Sequence, residues 1–253
     1  MNIQAHGGTA GTSGWPPADW ALVAAEVDEY GGRGSRSCSS PARLPSCASC
    51  TRRTTWFRST VDMGRHRFGH GQYGYFAAPY LAPVERLMQA LYPAAACRSD
   101  RGWWTKLGRP TPWPTTLDEW LTMCHSAGQT KSTAILLRYR KGDWNALHRD
   151  LHGELVFPRQ VVINLSEPGL DHTGGEFLLL EQRPRAQSRG TATLLPHGHS
   201  YTLPPHGHSY VFTPRDRPGR IARGWSAAPV RHGVSVTRSG QRHALALVFH
   251  HAA

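Results

Sequence analysis

The sequence predicts an α+β protein, mainly β, in which N-terminal helices buttress an all-β barrel or double-sheet jelly roll. Three features carry that expectation. Helical apolar spacing is confined to the first half of the chain. From Thr133 onward, short runs rich in Val, Ile, Leu, Phe and Tyr alternate with turn residues at the interval of successive strands. Finally, 253 residues are enough to bury one sizeable core with an additional N-terminal segment.

A first helix fits Asp19 to Tyr30: Asp19 can cap it, Leu22, Val23, Val27 and Tyr30 share a face, and Gly31 and Gly32 can end it. Gly31 to Arg53 has neither helical nor strand periodicity, and its Ser, Gly, Pro and Arg content reads as a flexible connector. A second helix fits Ala82 to Tyr92, with Val84, Leu87, Met88 and Leu91 as its stripe and Pro93 as its stop. A third fits Leu117 to Ser126, opened by Thr116 with Glu119 at capping-box spacing. The strand candidates are "TAILLRY", "LVFPRQVVINL", "EFLLLEQ", "TATLL", "SYVFT", "APVRHGVSV" and "HALALVFH". A tandem copy of "PHGHSY", Pro196 to Tyr201 and Pro205 to Tyr210, interrupts them. Its alternating His197, His199, His206 and His208 could face one side of a strand and bind metal, but duplication alone would copy them without any such role.

Composition narrows the setting. The opening residues show no basic end followed by an apolar run, and no stretch approaches the roughly 18 apolar residues of a span. The expectation is a soluble cytoplasmic protein with no membrane partner. Five cysteines at irregular spacing do not suit a disulfide framework and agree with a reducing compartment. Cys47 and Cys50 form a lone Cys-x-x-C without the second pair that a zinc site needs. The net charge of +12 suits a polyanionic partner, but only three of the 29 basic residues are Lys, so mutational bias toward Arg explains it equally well.

The chemistry-bearing stretch is "YRKGDWNALHRD". It holds His148 and Asp150, a His-x-Asp that chance would supply about half a time in this composition, so its neighbours must decide. In extended backbone the two project from one face, and a second His from an adjacent strand would complete three ligands on one side of an octahedral metal, leaving three positions open. A distant His232, in "VRHGVSVTRSGQRH", is a candidate for that second His, and Arg242 follows ten residues later. Arg242 can offer two parallel N–H donors to a carboxylate inside an apolar barrel. Gly174 and Gly175 in "HTGGEFLLLEQ" allow a tight turn into a strand. His152 would meet His148 only in a helix, which the Pro158 and β-branched run beyond it oppose. Singly, each of these residues has an ordinary structural use; order, strand placement and interval together favour a site.

From about Phe57 to Ala253 the chain resembles a bacterial family of Fe(II)/2-oxoglutarate dioxygenases related to the prolyl-hydroxylase-like and alkylation-repair-like branches. The resemblance rests on "FRSTVDMGRHRFGHGQYGYF", "CHSAGQT", "LHRDLHGELVFPRQV", "GGEFLLLEQRPRAQSR" and "RHGVSVTRSGQRH". It implies a double-stranded β-helix, a cupin-like jelly roll, with His148, Asp150 and His232 as catalytic iron ligands. Arg242 would hold the distal carboxylate of 2-oxoglutarate, and the Tyr139 hydroxyl would contact the same cosubstrate. It further implies dioxygen as cosubstrate and ascorbate as accessory reductant. The implied division is an N-terminal helix and low-complexity segment over 1–56 and a dioxygenase domain over 57–253, with helical support at 57–130 and the β-helix core at 131–253.

Three functions stay open on the sequence. Oxidative demethylation of alkylated single-stranded nucleic acid is motivated by the basic balance, by the arginines of "EQRPRAQSR" and "PRDRPGRIARGW", and by Trp103, Trp104 and Trp113 as base-stacking candidates. Ordinary core packing is the competing use of those tryptophans. Hydroxylation of a prolyl peptide, or of a small molecule, is motivated by the Tyr139, Gly142, His148 and Asp150 spacing. A metal-binding barrel with impaired catalysis is motivated by the duplicated "PHGHSY".

Overall fold

A computed structural model of the chain describes residues 27, 32–35, 54–96, 99–109, 113–183, 185, 187–195 and 209–253. Two antiparallel sheets face each other. The larger runs in spatial order β1 (Gly32–Ser35), β11 (Ser209–Phe212), β7 (Gln160–Asn164), β15 (Thr237–Val248), β5 (Ile135–Arg140), β4 (Gln72–Phe76) and β2 (Phe57–Asp62). Its remaining strand, β8 (His172–Gly174), pairs with β15. The smaller sheet runs β10 (Ser188–Thr193), β9 (Phe177–Gln182), β14 (Val230–Val234), β6 (Trp144–His148) and β3 (Gly69–His70). A separate hairpin joins β12 (Arg217–Ile221) to β13 (Gly224–Ala228). The chain crosses between the sheets from β5 to β6, β7 to β9 and β14 to β15, which is the double-stranded β-helix that the sequence predicts.

Alternation along β15 builds both layers of the core. Arg242, Ala244, Ala246 and Val248 face the space between the sheets, while Leu245 and Leu247 face the helices. Three helices cover that outer face: α1 (Ala82–Ala95), α2 (Ser99–Lys106) and α3 (Leu117–Ser126). Val84, Leu87, Met88 and Leu91 of α1 and Trp120 of α3 pack there with Phe157, Leu247 and Phe249. The Thr116 hydroxyl accepts from the Glu119 backbone N–H at 3.3 Å, the cap its spacing predicts. No helix among the described residues is long and apolar enough to cross a membrane.

Several expectations are corrected. Pro93 does not stop α1, which runs on to Ala95. Proline in the last turn forfeits one hydrogen bond, and the buried Ala95 packs into the core. Helix α2 was not foreseen. Residues 57–76, expected within the helical support, instead supply β2, β3 and β4, and β4 pairs directly with β5. Gly32–Ser35 is an edge strand inside the predicted connector, paired with β11. The Trp103, Trp104 and Trp113 indoles are buried in the helix-side core, so they offer no face to a base. Most of the predicted N-terminal helix, the Cys47–Cys50 pair and His197, His199, His206 and His208 lie outside the described residues; Val27 is helical and buried.

Candidate metal and cosubstrate site

The smaller sheet brings His148 and His232 together by register. They are cross-strand partners on β6 and β14, with ring centres 4.2 Å apart. Between His232 and Val234 the register slips against β6, a β-bulge that re-aims β6 so that Asn145 and His148, three residues apart, both reach the cavity. Gly233 makes this possible: a Cβ there would stand 2.7 Å from the Asn145 carbonyl oxygen.

Asp150 lies where β6 has ended and closes the group. Its Oδ1 is 3.5 Å from His148 Nε2 and its Oδ2 is 3.3 Å from His232 Nε2. One ligand atom from each of the three residues falls within 4.8 Å of the others, a spacing that a single cation can bridge. The Ala146 carbonyl lies 2.8 Å from His148 Nδ1; a carbonyl only accepts, so Nδ1 carries the proton and Nε2 keeps its lone pair for a metal. Burial, then the neighbouring His232, holds the His148 pKa below that of an ordinary histidine and keeps the ring neutral. Burial works against the Asp150 carboxylate, but hydrogen bonds from His152 and His232 outweigh it and hold it well below the usual carboxylate range.

Behind this group the space between the sheets is a cavity of about 300 Å³. Its walls are largely apolar, from Leu137, Val162, Phe177 and Phe212 among others, and Arg242 stands within it. Arg242 is 1% exposed, faces Tyr139 across the β5–β15 register, and has its guanidinium 5.6 Å from the Tyr139 ring centre. Its Nη2 is buried without a hydrogen-bond partner among the described residues. Gly175, at φ +70°, leaves room for its stem; a Cβ there would meet Arg242 Cδ at 2.9 Å. Tyr139 is fully buried, and its hydroxyl accepts from Asn145 Nδ2 at 3.4 Å. Burial pushes the Tyr139 phenol up to about 12, so it stays a hydroxyl.

His148, Asp150, His232, Arg242 and Tyr139 therefore all line one cavity. Sequence reasoning missed others. His152, set aside for want of a helix, reaches Asp150 Oδ1 at 3.6 Å instead of His148. Asn145 carried no signal because the bulge breaks strict alternation. Phe68, Tyr73 and Tyr75 line the cavity from a segment expected to be helical support.

The donor set suits the absent groups. Two imidazoles and a carboxylate are a borderline, octahedral set of the kind ferrous iron takes, and an unpartnered guanidinium in the same cavity suits a dicarboxylate chelating that iron. Fold and site together define a dioxygenase of the Fe(II)/2-oxoglutarate type.

Comparison with known proteins makes the assignment narrower. The profile of the Oxygenase-NA family, described as "Oxygenase, catalysing oxidative methylation of damaged DNA", matches residues 71–252. The chain belongs to this family. It is 61% identical over 178 residues to the Mycobacterium tuberculosis proteins "Uncharacterized protein Rv2227" and "Uncharacterized protein MT2286", which spans 70% of this chain and 72% of each relative. Among solved structures, a Pseudomonas putida prolyl-4-hydroxylase matches at 14% identity and a TM-score of 0.44, over 90% of this chain and 96% of that one. A Trichoplax adhaerens prolyl hydroxylase, in complex with a hypoxia-inducible-factor peptide, matches at 10% identity and a TM-score of 0.49, over 90% and 86%.

Proposed function

We propose that His148, Asp150 and His232 hold Fe(II), that Arg242 receives the distal carboxylate of 2-oxoglutarate, and that the enzyme demethylates alkylated single-stranded nucleic acid in the cytoplasm. The observation that carries the cosubstrate assignment is the buried, unpartnered Arg242 Nη2 in the same cavity as the two histidines and the aspartate. The family's description as acting on damaged DNA supports the substrate class. The domain assigned to this function is 57–253, whose strands β2 and β4 extend the sheet that carries Arg242, and β1 of the preceding segment adds an edge strand to the same sheet.

Iron with 2-oxoglutarate and dioxygen supplies hydroxylation of a C–H bond, with release of succinate and carbon dioxide; an N-hydroxymethyl product then loses formaldehyde. The chain does the rest. His148 presents a neutral Nε2 and His232 a second imidazole nitrogen, while Asp150 stays ionised, so the three donors would offer a metal one fixed negative charge. The Ala146 carbonyl fixes the His148 tautomer. Arg242 fixes the cosubstrate's far end, and the Tyr139 hydroxyl is placed beside it to donate. Phe177 and Phe212 keep water from the reacting atoms.

The test is succinate release with Fe(II), 2-oxoglutarate and dioxygen, with ascorbate as reductant. Methylated single-stranded oligonucleotides are compared with prolyl peptides, and His232→Ala is the control. Stimulation by methylated strands, absent in the variant, is expected. Stimulation by prolyl peptides alone overturns the substrate assignment, and turnover undiminished by His232→Ala overturns the ligand set.

A further inference from the structure

The β12–β13 hairpin belongs to neither main sheet, and it carries cations that the proposed reaction does not use. Its root is tied to the rim of the cavity. Arg149, which follows His148 and lines the cavity, donates from Nε to the Pro214 carbonyl at 3.0 Å and from Nη2 to Asp216 Oδ1 at 2.7 Å. Asp216 also takes Arg109, just past α2, at 3.1 Å. Arg109 and Arg215 both lie over the Trp104 ring, at 5.3 and 4.7 Å from its centre. Asp216 pairs with two of these three guanidinium groups, Arg149 and Arg109, so this corner of the rim stays positive.

Farther along, Trp225 of β13 is 39% exposed. The Lys106 ammonium, at the end of α2, lies 4.4 Å from its ring centre and the Arg220 guanidinium lies 6.0 Å away. Arg223 occupies the exposed turn of the hairpin. Among the described residues no carboxylate pairs with Lys106, Arg220 or Arg223. Glu181 differs, since Arg183, Arg189 and Arg217 each lie within 3.6 Å of its carboxylate. Cations held against an exposed indole keep their positions without a carboxylate to cancel them, which suits an external polyanion carrying flat groups.

We propose that α2 and the β12–β13 hairpin form a track for the phosphate backbone of a single-stranded nucleic acid, with Lys106, Arg220 and Arg223 as phosphate contacts. The Arg149–Asp216–Arg109 corner is the point where the strand turns its target base into the cavity. This rests on the nucleic-acid reading above. A base must leave its stack to be oxidised in an enclosed site, so the backbone must be held at the rim while the base enters, and the hairpin root stands at that rim.

The test is fluorescence anisotropy of a labelled single-stranded oligodeoxynucleotide with the full-length protein over a range of salt concentrations. The variant Lys106→Gln/Arg220→Gln/Arg223→Gln changes only exposed side chains. It is compared with Arg140→Gln/Lys141→Gln/Arg238→Gln, which removes equal charge at the far end of β6, where the Gly142 N–H bonds the Thr237 carbonyl. The hairpin triple is expected to weaken binding by about tenfold and to lower the slope of log Kd against log salt by about two, at roughly 0.7 per single-strand phosphate contact. The control triple is expected to retain the wild-type slope. Equal losses in both triples, or wild-type binding by the hairpin triple, overturn the track. Failure of the wild-type protein to bind any single strand is a different result and overturns the nucleic-acid reading itself.

Discussion

Two buried arginines meet opposite fates. Arg217 is 7% exposed and lies 3.6 Å from Glu181, the carboxylate that also takes Arg189 at 2.9 Å. Arg242 is buried more deeply still, and the described residues offer its Nη2 no partner. Burial pushes its guanidinium pKa below the ordinary value, with only the Tyr139 phenol pulling the other way. A buried charge without its counter-ion costs several kcal/mol, and a fold tolerates that where a ligand supplies the missing charge. Arg217 is thus part of the architecture, whereas Arg242, in the function proposed, is half of an ion pair whose other half arrives with the cosubstrate.

The largest expected effect tests the metal end of the cavity. Asp150→Ala removes the one anion among the three donors, and ferrous-ion affinity together with succinate formation should fall by more than about 100-fold, measured by metal titration and turnover. Arg242→Gln comes next: losing a buried charge-assisted pair worth about 2–5 kcal/mol should raise the KM for 2-oxoglutarate by tens of fold or more in steady-state assays. The two arginines should then diverge in thermal unfolding without cosubstrate. Arg217→Met should destabilise by about 2 kcal/mol because it strips a partner from Glu181, while Arg242→Met should stabilise by about 1 kcal/mol because it removes an uncompensated charge. Equal shifts in the two would erase the contrast.

The smallest effect concerns rings that the core buries uncharged. Burial lowers the His250 pKa to about 3 and that of His251 to about 4, from 6.5. His250 Nδ1 accepts the Phe157 backbone N–H at 3.3 Å, a bond that protonation of this nitrogen would break. A depressed folded pKa means that the unfolded state binds more protons between these values. The resulting stability is therefore fully present above about pH 6.5 and is lost as pH falls toward 3–4. Urea midpoints should drop by an equivalent of about 1 kcal/mol per ring between pH 7 and pH 5.5, and His250→Gln should flatten part of that slope.

The parts of this contrast differ in how much the sequence showed of them. Arg242, Tyr139, His148 and His232 sit on strands whose alternation or spacing survives folding, so their positions were legible. Strand β15 was visible as "HALALVFH" because Leu245 and Leu247 are apolar at period two. The strands of residues 57–76 were not, since "FRSTVDMGRHRFGHGQYGYF" mixes Gly, Arg and His among its aromatics and gains its strand character only by pairing, β4 with β5, β2 with β4 and β3 with β6. Asn145 was hidden by a bulge that no local rule announces, and the site depends on it to re-aim His148. The Asp216 link between Arg109 and Arg149 joins residues far apart in the chain, and no periodicity encodes it. Trp103, Trp104 and Trp113 were ambiguous for a plainer reason: an indole serves a core and a base equally well, and only burial tells them apart.

The most direct test of the central claim is anaerobic calorimetric titration of 2-oxoglutarate into the Fe(II)-loaded protein, its Asp150→Ala variant and its Arg242→Gln variant. Saturable one-to-one binding by the wild type, lost or weakened at least tenfold in both variants, is the predicted result. Binding of the same affinity in all three proteins would place the cosubstrate somewhere other than between Asp150 and Arg242.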